Sequence, residues 1–173
     1  MSSRNCRNYV HGQWGSHGAD RTLSVENPVT AETIAQVPLS SPEETNRAVA
    51  AALAAFPEWR ATPVSRRVEL LFQLAERMRG EQEQLARLIT EENGKSLPDS
   101  RAEVKRAVEN LEVACGMPAL IQGDKLIGGA VDIDGEVIHI PLGVFGMIAP
   151  FNFPLMVPFW FFPYALATGN TYV

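Results

Sequence analysis

From Val137 to Val173 the sequence contains no Asp, Glu, Lys or Arg, although the chain as a whole carries 20 acidic and 15 basic residues. A bilayer needs roughly 20 apolar residues per spanning helix, so length alone would permit a membrane span. Prolines at 141, 150, 154, 158 and 163, with glycines at 143 and 146, break the stretch repeatedly. In lipid every backbone group must be satisfied inside the segment, and a proline-broken segment cannot do this. The stretch is expected to be a strand and helix buried on all sides, with no membrane contact.

Other absences narrow the field further. Among 173 residues the net charge is −5 and no basic run occurs, so nucleic-acid binding has no electrostatic support. Cys6 and Cys115 lie too far apart for a disulfide framework or metal-ligand spacing, which fits a reducing compartment and no metal site. The opening MSSRNCRNYV has no apolar run of the secretory kind, and a cytoplasmic location is expected. The sequence holds no glycine fingerprint for a dinucleotide, no phosphate loop and no HExxH. His11, His17 and His139 are scattered, and His139 reads as a packed or edge residue of a strand.

What is present alternates and then turns helical. Tyr9-Val10-His11 and Trp14 flank Gly12-Gln13 as a tight hairpin. Leu23–Glu26 runs into the turn Asn27-Pro28, and Thr33–Val37 resumes the alternation. Ser41-Pro42-Glu43-Glu44 is a capping box with proline at the first helical position, opening a helix to about Phe56. Thr62-Pro63 opens a second, with Val64, Val68, Leu71, Ala75 and Met78 on one face. A third covers about 81–92 and stops at Asn93-Gly94. The fourth runs from near Pro98 to near Gly116, with Val104, Val108, Leu111 and Cys115 aligned, so Cys115 reads as a small buried hydrophobe.

Ala130–Ile133 and Glu136–Ile140 then alternate across Asp134-Gly135, a hairpin signal. Such a ribbon is marginal alone and is expected to pair with something else. Val144–Ala149 reads as a buried strand, 150–154 as a loop, Leu155 to about Thr168 as a buried helix, and Thr171–Val173 as the start of a second strand. Strand, helix, strand is one unit of a parallel sheet, so the fold class is α/β.

Asn152 is the polar exception in APFNFPLMVPFWFFP, residues 149–163. A carboxamide is costly in apolar surroundings unless its donors and acceptor find partners. It falls at the carboxyl end of a strand, the edge where open α/β sheets hold ligands. Position leaves two roles open: bracing the loop, or facing a ligand.

Residues 140–172, IPLGVFGMIAPFNFPLMVPFWFFPYALATGNTY, resemble the aldehyde dehydrogenase superfamily, whose members carry a P-[WF]-N-[FY]-P loop after a strand and a helix ending in G-N. Phe151 and the M-V-P-F-W-F-F-P continuation resemble its CoA-acylating methylmalonate-semialdehyde branch. YVHGQW, ENPVT, AFPEWR, EENGK and VENLEVAC match in order upstream, so the resemblance covers nearly the whole chain. It implies a fold made of the N-terminal portion of that family's structure. Residues 1–125 would begin the NAD-binding domain, 126–141 an oligomerisation hairpin, and 142–173 the first strand-loop-helix of an incomplete Rossmann-like sheet.

The resemblance further implies Asn152 as oxyanion donor, Ala149 and Phe151 as lining for NAD, and Arg106 as contact for a substrate carboxylate. Arg106 could equally be a surface arginine paired with Glu103 or Glu109. Implied partners are a small semialdehyde, coenzyme A as co-substrate and further copies of the chain. The family's nucleophilic cysteine aligns with neither Cys6 nor Cys115, and its catalytic domain has no counterpart here. The chain is thus expected to be an N-terminal fragment, inactive alone, whose exposed apolar end associates. An ordinary aldehyde dehydrogenase giving a free acid, or a shortened non-catalytic subunit joining full-length partners, are the alternatives.

Overall fold

The computed structural model describes residues 4–15 and 21–173, so His17 lies outside the described residues. Three short strands and a hairpin come first. β1 (Arg4–Asn5) pairs in parallel with β5 (Thr33–Pro38), which pairs antiparallel with β4 (Thr22–Glu26). β2 (Asn8–Val10) and β3 (Gln13–Gly15) form the expected hairpin, with its turn at His11-Gly12, one residue earlier than the sequence reading. Both turn residues have positive φ, 52° and 75°, the backbone that a two-residue hairpin turn demands.

Four helices then build a layer. α1 (Pro42–Ala61) starts at the capping box, where the Ser41 hydroxyl accepts from the Glu44 N–H and the Glu44 carboxylate accepts from the Ser41 N–H. It runs past Phe56 and through Pro57, further than its composition suggested. Tertiary anchorage explains the extra turn: the Trp59 indole donates to the Leu166 carbonyl at 3.1 Å. α2 (Val64–Gly80), α3 (Gln82–Asn93) and α4 (Leu97–Cys115) follow the expected bounds closely. Their apolar faces meet as a core of Val68, Leu71, Ala75, Met78, Ala107, Val108, Leu111 and Cys115. Burying each large aliphatic side chain contributes about 1.5–3 kcal/mol.

A short α5 (Met117–Leu120) leads to the hairpin of β6 (Lys125–Ala130) and β7 (Ile133–Glu136). Here the sequence reading was out of register. The turn falls at Val131-Asp132, not Asp134-Gly135, and Glu136–Ile140 is not a strand beyond its first residue. Asp132 takes the left-handed conformation, and Gly128 opens a bulge whose N–H donates to the Asp134 carboxylate at 2.8 Å. Asp134 therefore braces the bulge instead of forming the turn. Every residue of both strands is exposed.

The chain closes on β8 (Val144–Phe145), α6 (Pro158–Ala167) and β9 (Thr171–Tyr172), with β8 and β9 parallel as expected. The strand is much shorter than 144–149 and is not buried. Among the described residues β8 pairs only with β9, so its other edge stays open. Ile148 is fully exposed, Leu142 86% and Phe151 89%. α6 begins three residues later than read and packs against α4, α2 and β9. Arg67, 6% exposed, joins the layers: it donates to the carbonyls of Ala167 (3.0 Å) and Thr62. No helix among the described residues is long and apolar enough to cross a membrane.

Candidate active-site loop

Two staples fix the strand that leads into the loop. The buried Asn170 carboxamide accepts from the N–H groups of Leu142 (2.7 Å) and Gly143 (3.0 Å), while Thr171 donates to the Ala52 carbonyl on α1. Beyond β8 the Met147 N–H still reaches the Val173 carbonyl. From Ile148 to Asn152 every residue then faces solvent.

The loop is held from below by side chains of the helical layer. Asn93 donates from Nδ2 to the Phe151 carbonyl at 2.8 Å, and Lys95 donates from Nζ to the Asn152 carbonyl at 2.9 Å. The same ammonium lies 2.5 Å from Glu103 Oε2 and 4.1 Å from the centre of the Phe153 ring. Glu103 Oε1 accepts from the N–H groups of Leu155 (2.9 Å) and Met156 (3.2 Å), donors in the turn before α6 that have no residue of their own to cap them. Glu103 is 2% exposed, and a buried carboxylate is tolerable because an ammonium and two N–H groups surround it.

Gly94 makes this arrangement possible. It ends α3 with φ 76°, and a Cβ there would lie 2.8 Å from Pro28 Cγ. Both the left-handed backbone and the close approach require glycine, and the turn points its flanking Asn93 and Lys95 at the loop.

Asn152 itself is exposed, and its carboxamide has no hydrogen-bond partner among the described residues, while its backbone is pinned. Ala149 and Phe151 share its loop and its open side. Arg106 lies elsewhere, exposed on α4 one turn beyond Glu103. It forms no ion pair with Glu103, which Lys95 occupies, nor with Glu109, which Lys105 approaches at 3.6 Å. Cys115 sits in the helical core, where burial pushes its thiol up, and Cys6 is exposed after β1.

Sequence reasoning missed Asn93, Lys95 and Glu103 as parts of this loop. A signal existed: Glu103 is an acid on the same α4 face as Val104, Ala107 and Leu111, where burial without partners would be costly.

Comparison with known proteins gives this geometry a setting. The model of the aldehyde dehydrogenase family matches residues 14–173. The chain is 44% identical over 170 residues to malonate-semialdehyde dehydrogenase 2 of Oceanobacillus iheyensis, covering 98% of this chain and 35% of that protein. Malonate-semialdehyde dehydrogenase 2 of Geobacillus kaustophilus is 47% identical over 167 residues, 96% of this chain and 34% of its own length. The crystal structure of methylmalonate-semialdehyde dehydrogenase from Oceanimonas doudoroffii superposes with TM-score 0.91 at 37% identity, over 99% of this chain and 35% of that one. A structure from Sinorhizobium meliloti complexed with NAD superposes with TM-score 0.94 at 30% identity, with the same coverage. The chain thus spans about a third of the length of the relatives it matches, and its α/β architecture is that of the N-terminal portion of their fold.

Proposed function

This chain belongs to the aldehyde dehydrogenase family, and from that premise we propose that it supplies the oxyanion side of an NAD-dependent semialdehyde dehydrogenase that releases an acyl-CoA. The observation that carries the reading is the Asn152 carboxamide, exposed in the loop after β8 and without a hydrogen-bond partner among the described residues, while Lys95 and Asn93 hold the peptide groups on either side of it. A donor held in advance stabilises charge that develops on an aldehyde oxygen, because no reorganisation accompanies the reaction. When an aldehyde carbon is attacked by a thiolate, its carbonyl oxygen takes up the negative charge, and Asn152 Nδ2–H donates to it. Cys115 is a poor source of that thiolate, because its burial favours the neutral thiol.

The residues present fit one wall of an NAD site. Ala149 and Phe151 turn their side chains to solvent beside Asn152, in a stretch with no charged side chain to oppose an apolar ring face. NAD, when bound, supplies the hydride acceptor. Arg106, a guanidinium on α4 with no ion pair among the described residues, is suited to a substrate carboxylate. The names of the malonate- and methylmalonate-semialdehyde relatives support that substrate class and, with it, coenzyme A as co-substrate. The exposed β6–β7 hairpin supports assembly with further copies.

Complementation tests the reading. The chain alone is expected to give no aldehyde-dependent NADH. Mixed with an Oceanobacillus iheyensis relative lacking the matching first third, it is expected to restore CoA-dependent NADH formation from malonate semialdehyde. Asn152→Ala is expected to lower the restored rate about 10²–10³-fold. Turnover by the chain alone, or a restored rate indifferent to Asn152, would refute it; a free-acid product made without CoA would favour an ordinary aldehyde dehydrogenase.

A further inference from the structure

Asn152 is presented by contacts that lie wholly within this chain. We infer that Lys95 and Asn93 are positioning residues for Asn152, setting the two peptide planes on either side of its Cα so that its carboxamide faces outward. The inference rests on the reading of Asn152 as an oxyanion donor.

The geometry is specific. The peptide plane before Asn152 ends in the Phe151 carbonyl, and the plane after it in the Asn152 carbonyl. Asn93 binds the first and Lys95 the second. Fixing both planes fixes φ and ψ of Asn152, and the backbone sets which rotamers its side chain can take. Lys95 is itself held: Glu103 draws its ammonium at one side and the Phe153 ring lies below it. Glu103 in turn binds the Leu155 and Met156 N–H groups, so the loop is clamped on both sides of Phe153-Pro154. The bonds made by Lys95 and Glu103 are charge-assisted, roughly twice as strong as neutral ones such as that of Asn93. Its three side chains come from the end of α3, the α3–α4 turn and α4, so the loop is shaped before any ligand or further sheet strand arrives.

The full 173-residue chain labelled with ¹⁵N-asparagine and ¹⁵N-phenylalanine tests this, because an amide nitrogen reports the hydrogen bond made by the preceding carbonyl. Lys95→Met is expected to displace the Phe153 resonance and to lower the heteronuclear NOE of the Asn152 side-chain nitrogen, with Phe159 and Phe162 unmoved. Lys95→Arg, which keeps a cationic donor, is expected to return both toward their original values. Asn93→Ala, at a half-buried position at the end of α3, is expected to displace the Asn152 backbone nitrogen and to lower the same NOE. An unaltered Asn152 side-chain NOE in Lys95→Met and Asn93→Ala overturns the inference, as does Lys95→Arg behaving like Lys95→Met. Should Lys95→Met fail to fold, the Asn93→Ala spectrum decides alone. No turnover enters this readout, so failure of the Asn152→Ala complementation would remove the oxyanion reading while leaving the clamp standing.

Discussion

Leu111 in α4 and Ile148 in the loop are both branched aliphatic residues, yet the first is 0% exposed and the second 100%. The helical layer closes on itself, because α2, α3 and α4 each turn a stripe of small and aliphatic side chains toward the others. The strand-loop-helix end is equally apolar but less covered: α6 lies on α4 and α2 and α1 lies against β8 and β9, while β8 has an open edge and the loop faces water. The difference teaches that apolar content does not by itself make a core. A helix bundle finds its cover locally, whereas a parallel strand needs neighbours from both sides and both faces.

The sharpest way to test that contrast is to truncate the two residues in turn. Leu111→Ala should cost about 2–5 kcal/mol in urea unfolding, since it removes packed atoms and leaves a cavity. Ile148→Ala should change stability by less than about 0.5 kcal/mol, as expected for an exposed site. Equal effects would mean that the loop residue is packed in solution.

The connection between the regions comes next. Arg67→Met should cost about 1–3 kcal/mol by stranding the Ala167 and Thr62 carbonyls, with amide exchange rising in α6 more than in α2. Within the closed region, Ser41→Ala should lower stability by about 1 kcal/mol through loss of the α1 cap, read from the same denaturation curves.

Alkaline pH should weaken the fold with a predictable sign. Burial raises the pKa of Cys115, Tyr164 and Tyr172, so in the folded chain these groups keep their protons to higher pH. The unfolded chain then binds fewer protons once pH passes the ordinary thiol range near about 8.5, and stability falls as pH rises from there. Urea midpoints measured from pH 7 to 10 check this; a rising midpoint would contradict the burial of these groups. Smallest in stability, but visible in light scattering, is Ile148→Ser with Phe151→Ser. The pair should leave the urea midpoint within about 0.5 kcal/mol and reduce self-association, because it breaks the exposed apolar patch.

Much of the helical layer was legible because its signals are local. A capping box, a proline at the first helical position, a glycine C-cap and 3.6-residue spacing act within one or two turns, and α1 to α4 follow them. The β6–β7 register was not legible. Asp134-Gly135 looked like the turn, but two-residue pairs compete along such a ribbon, and the Gly128 bulge with its bond to Asp134 selected Val131-Asp132. For the site, Asn152 and its loop stood out as one amide in an uncharged run. Asn93, Lys95 and Glu103 did not, because their partners are backbone groups 50 to 60 positions away in sequence, at separations such as 58, 57 and 52.

The sequence by itself determined the helices, the parallel strand-helix-strand unit and the place of Asn152 at a strand's carboxyl end, since each follows from spacing and local chemistry. Only the tertiary structure decided that an acid in the α4 stripe is buried, that a lysine beyond a glycine turn grips the Asn152 carbonyl, and that the amide is left free. Those outcomes depend on long-range packing: a charge enters the interior only where its partners from distant segments arrive with it.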